Sequence, residues 1–370
     1  MRDLYYGDNL AVLRQAVPAA SVDLVYLDPP FNSNRSYNLL FREPAGGASA
    51  AQVTAFEDTW DWGPAPEREL AEVLAGPRPE VGTALAALRP VLGEGPLLAY
   101  LVMMGARLVE IHRAMKATAS LYLHCDASAS HYLKVLLDAV FGAANFRNEI
   151  VWHYYNKYSA GRRLFARNFD QLLFYTRSAR YTFHPQREPR DKPVRQLLRE
   201  NVGGVLKNRK GPDGRVMYRE VHDRKVDAVW RIPCLQPASK EMLGYPTQKP
   251  LQLLERIVLA SSNPGDVVLD PFCGCGTALH AAEQAGRGWI GIDASALAIG
   301  AVEARLRAAF PGIALTRCNA AALPPAPMPA QQELPLHLPP EAPASDARPA
   351  EPVRWPQPRR GATGRRAARA

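Results

Sequence analysis

Val267-Val268-Leu269-Asp270-Pro271-Phe272-Cys273-Gly274-Cys275-Gly276-Thr277 decides the fold. A β-branched, apolar run ends at an acidic residue and passes through a glycine-rich turn. It then enters Thr277 to Ala285, which has helical apolar spacing and stops at Gly286. Strand, tight turn and helix in that order form part of an open α/β unit, in which ligands bind beyond the C-terminal ends of the strands. Near the start of the chain, Val22-Asp23-Leu24-Val25-Tyr26-Leu27 ends in a comparable way at Asp28-Pro29-Pro30-Phe31. Both stretches read as loops at the ends of buried parallel strands. One has glycines that let backbone approach a ligand closely. The other offers a carboxylate, a free carbonyl and an aromatic face.

Further strands are expected at 120–125, 149–154, 171–176 and 288–292. Helices are expected from His131 to Phe141, ending at Gly142, and from Leu251 to Ala260, with Pro250 at its first turn. Strands alternating with helices predict a doubly wound, mostly parallel α/β sheet. Residues 1–154 form one half. Within it, 42–80 are rich in Gly, Ala and Pro around Phe56-Glu57-Asp58-Thr59-Trp60-Asp61-Trp62 and read as a long loop. Residues 155–240 read as a basic insert, with clear periodicity lacking over 185–240, and 241–323 as the second half. Residues 324–370 hold 12 prolines and 7 arginines with few large apolar residues, which predicts a disordered tail.

The chain has 370 residues and a formal net charge of +9, distributed unevenly. Residues 151–250 carry 21 Lys/Arg against 9 Asp/Glu, leaving the remainder slightly acidic. Trp152, Tyr154, Tyr155, Tyr158, Phe165 and Tyr181 are interleaved with this charge, a pattern that suits a polyanion such as nucleic acid. The five cysteines, an odd number in mostly apolar or Gly-rich contexts, imply no disulfide framework. Cys273-x-Cys275 lacks a second ligand pair at metal spacing, so no metal is expected. The N-terminal residues have no apolar h-region and no stretch is long enough to span a bilayer, so a cytoplasmic location is expected.

Asp293 ends the strand after the glycine loop, close to the spacing at which an acidic residue meets ribose hydroxyls. The turn is not G-x-G-x-x-G, so a pyrophosphate cradle is not the obvious reading. S-adenosylmethionine has a methionyl end, a ribose and an adenine but no phosphate. Gly274 and Gly276 can admit the methionyl group, and Asp293 can accept from both ribose hydroxyls. The other loop suits an exocyclic amine on a nucleobase, whose lone pair is delocalised into the ring. Asp28 and the Pro29 carbonyl supply two acceptors for its protons, the Pro29-Pro30 pair stiffens the backbone, and Phe31 can stack on a base turned out of the duplex. Pro233-Cys234 superficially fits a cytosine-C5 nucleophile, but the amine-binding loop would then have no job. His124 and Asp126 can be read as an acid/base pair, with a structural role at a strand end favoured. Trp60 and Trp62 can line a DNA cleft or pack the loop against the body.

Together these segments resemble the permuted beta group of DNA amino-methyltransferases. Tyr26 to Asn34, Leu121 to Asp126, Phe146 to Trp152 and Tyr245-Pro246-Thr247-Gln248-Lys249-Pro250 all look like this family, and the resemblance runs from about residue 4 to 308. It implies a circularly permuted S-adenosylmethionine-dependent methyltransferase fold with an inserted target-recognition region, acting on double-stranded DNA. It implies catalysis by Asp28, Pro29, Pro30 and Phe31. It implies donor binding by Asp8, Asp270, Phe272, Gly274, Gly276, Thr277 and Asp293, with Gln248 and Lys249 helping to close the pocket. Phe31 stands where the family more commonly has Tyr. Asp at position 28, where cytosine-N4 enzymes more often have Ser, favours adenine N6, with cytosine N4 as the alternative. RNA amino-methylation and a non-catalytic DNA-binding protein are the remaining readings. The resemblance is also compatible with a homodimer. In the tail, Gln331-Gln332-Glu333-Leu334-Pro335-Leu336 resembles peptides that dock on the replication sliding clamp, which makes that clamp a candidate partner.

Overall fold

A computed structural model describes residues 1–30, 35–42, 48–58, 60–157, 163 and 165–323. Phe31, the clamp-like hexapeptide and the rest of the tail lie outside the described residues. Nine strands form the main sheet: β1 (Arg2–Tyr6), β2 (Val22–Leu27), β3 (Met115–Cys125), β4 (Phe146–His153), β5 (Phe169–Thr176), β6 (Val229–Arg231), β7 (Val267–Asp270), β8 (Gly288–Asp293) and β9 (Thr316–Asn319). Their order is β6-β4-β5-β3-β2-β7-β8-β1-β9. β5 runs antiparallel to β3 and β4, and every other adjacent pair is parallel.

The strand sequences explain this arrangement. Val22, Leu24, Val25, Tyr26 and Leu27 are all buried, as expected of a parallel strand covered on both faces. Alternate residues enter different clusters, Leu24 and Tyr26 in one and Val25 and Leu27 in the other. Helices α1 (Asn9–Gln15), α2 (Pro64–Ala75), α3 (Pro79–Leu92), α4 (Pro96–Ala114) and α5 (Ser130–Phe141) supply the second cluster. Helices α6 (Leu251–Ser261), α7 (Thr277–Gln284) and α8 (Ala296–Ala309) supply the first. Asp23 is the polar exception in β2. Its Oδ2 accepts from Lys116 Nζ at 2.7 Å and from Val267 N at 2.9 Å, joining β2 to β3 and β7. No helix among the described residues is long and apolar enough to cross a membrane.

Three expectations change. Residues 42–80 are not one long loop. Ala48–Asp58 pairs with Arg35–Arg42, α2 occupies 64–75 and α3 begins at Pro79. Pro64 starts α2, and Leu70 and Val73, one turn apart, face the core. The Pro/Ala composition hid this amphipathic turn. The insert does not begin at 155, because β5 lies inside the main sheet. The segment between β5 and β6 contains an antiparallel ribbon of Arg187–Leu197 with Tyr218–Lys225. Beyond it is a smaller hairpin, Arg199–Val202 with Val205–Asn208, turning at Gly203 and Gly204 with φ of +61° and +85°. Finally, β1 pairs with β8 and β9, so the first residues belong spatially with the second half of the chain.

Leu4 of β1 is fully buried. Leu4→Ala should cost about 2–5 kcal/mol, read as a lower urea midpoint with an unchanged slope. A midpoint equal to that of the unsubstituted chain would mean that β1 contributes no core.

Candidate active site

The site begins with one strand pair. Val268 and Leu269 of β7 pair in parallel with Leu24 and Val25 of β2. The loops after Leu27 and Leu269 therefore leave the same sheet edge side by side. They line one cleft of about 610 Å³, within the usual size of small-ligand sites.

The glycine loop is shaped by its backbone. Gly274 and Gly276 have φ of +49° and +76°. Gly276 caps α7 in a left-handed conformation, and a Cβ there would lie 2.9 Å from Val302 Cγ2 in α8. A Cβ on Gly274 would meet the Tyr245 ring at 3.4 Å. Asp293 organises this turn: its Oδ2 accepts from Gly274 N at 2.9 Å and its Oδ1 from Ser295 N at 2.8 Å. Burial pushes its carboxyl up to about 6, against the lowering effect of the amides of Ser295 and Gly274. Asp270 is also pushed well up, first by burial and further by the charges of Asp28 and Asp293, although Phe272 N donates to it.

Asp28, Pro29 and Pro30 line the cleft together with Asp270, Phe272, Gly274, Thr277 and Asp293. Gly276 lies behind it as the helix cap. Asp8 also lines the cleft, where it caps α1 through Ala11 N at 3.0 Å and accepts from Arg107 at 2.8 Å. Gln248 lines the cleft, but its side chain binds Leu243 N and Glu241 O and so closes its own loop. Lys249 reaches the other loop: its Nζ lies 2.6 Å from Asp28 Oδ2.

Behind Asp28 sits a polar chain. His124 is fully buried, with Nε2 3.2 Å from Asp170 Oδ2 and Nδ1 3.0 Å from the Tyr26 hydroxyl. An ionised Asp170 can only accept, so Nε2 carries the proton and, in the neutral ring, Tyr26 donates to Nδ1. Asp28 Oδ1 lies 3.7 Å from the same Nδ1. Burial pushes Asp170 up, but hydrogen bonds from His124 and Tyr154 and the nearby Lys249 ammonium hold it below its ordinary value. Asp126 instead accepts from Ser128, so the His124–Asp126 pair does not form. Cys234 accompanies Asn156 and is not among the residues lining the cleft.

Sequence reading missed Asp170, Arg107 and Tyr245 as parts of this site. Asp170 had no motif around it, and Arg107 is a lone charge in a mostly buried helix. Tyr245 carried the clearest signal, since it opens the Tyr245-to-Pro250 segment. Trp60 lines the cleft and meets Tyr100 edge-on, which satisfies both of its expected roles, whereas Trp62 lies under the Arg89 guanidinium.

An α/β sheet with a glycine loop and an Asp-Pro-Pro loop sharing one cleft defines a class of group-transfer enzymes. The chain belongs to the DNA methylase family, whose model matches residues 22–302. It is 27% identical to the DNA adenine methyltransferase YhdJ of Escherichia coli (strain K12) over 295 residues, covering 79% of this chain and 78% of the relative. It is 28% identical to the type II methyltransferase M.EcaI of Enterobacter cloacae over 350 residues, covering 80% and 67%. The structure of a DNA modification methylase from Thermus thermophilus, TTHA0409, complexed with S-adenosyl-L-methionine, is 19% identical. It covers 86% of this chain and 98% of that one, with a TM-score of 0.48.

Proposed function

We propose that this DNA methylase transfers a methyl group from S-adenosylmethionine to the exocyclic amine of a flipped base, with adenine N6 favoured over cytosine N4. The observation that carries the reading is the shared cleft of Asp28 and the glycine loop. The residues present fit the donor. Gly274 and Gly276 leave no side chain in the turn, and each Asp293 oxygen, already bound to one amide, can accept again from a ribose hydroxyl. Asp270 and Phe272 line the adjoining wall. When bound, the donor supplies an electrophilic methyl on a sulfonium. As the new N–CH3 bond forms, the S–CH3 bond breaks and the positive charge passes to the base nitrogen, which then releases one proton.

Asp28 and the Pro29 carbonyl accept from the two amine protons and build electron density on nitrogen as conjugation with the ring is lost. Asp28 Oδ2 keeps acceptor capacity beside Lys249, because a carboxylate oxygen accepts more than one hydrogen bond. Adenine is favoured by Asp at position 28 and by likeness to a relative named as an adenine methyltransferase.

The ribbon of 187–225 is proposed as the DNA-recognition arm. Its small hairpin is exposed along both strands, with Val202, Val205 and Leu206 at 48%, 59% and 67% exposure. A two-stranded ribbon fits the major groove, and its lysines and arginines suit phosphates.

Incubating the protein with duplex DNA and labelled donor, then digesting to nucleosides, identifies the modified base, with N6-methyladenine expected. Asp28→Ala should reduce turnover by at least about 100-fold while keeping donor and DNA binding. Retained turnover would refute its role. A proton on Asp293 below pH 6 removes the charge facing the ribose hydroxyls. Donor affinity should therefore be about tenfold weaker at about pH 5 than at about pH 7, and Asp293→Asn should flatten that dependence. In the donor-free fold the sign is opposite: the raised value favours folding at low pH, an advantage lost as pH rises through about 6. Replacing Arg199, Lys207 and Lys210 with Ala should weaken binding to all DNA sequences alike and lower the salt slope by about 1 per lost phosphate contact. An unchanged slope would remove the arm from the interface.

A further inference from the structure

We propose that Lys249 is a positioning residue for Asp28 and that it couples the donor-side loop to the acceptor-side carboxylate. The resemblance assigns it to closing the donor pocket, but its side chain points elsewhere. Nζ lies 2.6 Å from Asp28 Oδ2 and 3.2 Å from Thr247 O, with the side chain only 10% exposed. The Lys249 carbonyl accepts from Thr277 Oγ1 at 3.3 Å, at the start of the helix that follows the glycine loop. One residue thus touches both loops, the donor side through its backbone and the acceptor side through its ammonium.

Its own segment is held firmly. Arg305 donates to Thr277 Oγ1 at 2.8 Å and pairs with Glu241, whose Oε1 accepts from Leu251 N at 2.7 Å. Gln248 ties Glu241 and Leu243 together. Thr247 is held at φ of +60°, an uncommon conformation for a β-branched residue. Strain next to a cleft-facing lysine, inside a network that over-determines the backbone, indicates that the position of Nζ is constrained.

Asp28 needs such an anchor. The charges of Asp28 and Asp293 act on Asp270, and Asp170 lies behind His124, so Asp28 turns among like charges. Without a cation, repulsion would rotate the short side chain away from the amine. A buried ion pair rarely repays its desolvation in stability, so its retention here is better explained by geometry. Lys249 also acts on Asp170 and Asp270, which makes it the cation shared by three carboxylates of the site.

The test uses the full chain with Lys249→Met, Lys249→Gln and Lys249→Ala. Donor affinity is measured by calorimetry, base flipping by 2-aminopurine at the target position, and chemistry by single-turnover methylation at saturating donor and DNA. Lys249→Met should bind donor within about threefold of the parent and flip the base normally, but methylate about 100-fold more slowly. Ethylammonium at constant ionic strength should restore about tenfold to Lys249→Ala and nothing to Asp28→Ala. If Lys249→Met does not fold, Lys249→Gln carries the same expected split. Loss of donor affinity with a normal saturated rate would return Lys249 to the donor pocket. A normal rate with normal affinity would leave it a structural ion pair. Either result overturns the proposal. The proposal rests on Asp28 acting on the amine. Normal methylation by Asp28→Ala would sink that reading, whereas an inactive Asp28→Ala beside a normal Lys249→Met would sink only this one.

Discussion

The parallel pairing of Leu24 and Val25 with Val268 and Leu269 is the constraint from which the site follows. Neighbouring strands lie about 4.8 Å apart. Two loops that leave adjacent parallel strands at the same end are therefore close, whatever their separation in sequence. An antiparallel pairing would send them to opposite edges. A strand inserted between them would double the gap and split the cleft. The buried, β-branched character of both strands, sealed by α1–α5 on one face and α6–α8 on the other, fixes this register.

The cost of that geometry is electrostatic. Asp28, Asp270 and Asp293 line one cleft, and burial pushes the last two towards the protonated form. An acidic, partly desolvated cleft suits a cationic ligand and is less suited to the neutral one left when the positive charge moves away. The same acidity that selects a sulfonium donor therefore weakens the hold on its spent form. Lys249 moderates this field at Asp28, where a fixed carboxylate is needed, while Asp293 at the ribose end is held only by backbone amides.

The sheet and both loops were legible because they rest on local patterns: a β-branched run, then a loop with a recognisable chemical inventory. The helix ends at Gly142 and Gly286 were legible for the same reason. Elements whose identity depends on distant partners were not. β1 is a mixed stretch, Arg2-Asp3-Leu4-Tyr5-Tyr6, that becomes a strand because β8 and β9 flank it. The α2 segment carries few apolar residues, and only contact with the core distinguishes Leu70 and Val73 from loop residues. The Asp28–Lys249 contact joins two segments that were each recognised separately. Nothing in either segment stated that the lysine of one would face the carboxylate of the other. Asp170 arrived through an antiparallel strand whose sequence reads only as apolar.

Chain order matters less to this site than sheet order. β1 stands between β8 and β9, and Gly7 N donates to Asp293 O at 2.9 Å, so Asp8 reaches the cleft from the first strand as directly as Ser295 does from a late one. The recognition arm uses the same freedom. It is inserted between β5 and β6, away from the β2–β7 seam, and both of its ends return to the sheet. Loop-closure entropy rises only slowly with the length of such an excursion. At its base Arg224 and Arg256 share Glu188, and Arg256 belongs to α6. Exposed ion pairs of this kind add little stability, but they set the direction in which the ribbon leaves the body. A sheet edge fixed by burial and an arm fixed only at its base divide the labour: the arm can change what it reads without disturbing the carboxylate that acts.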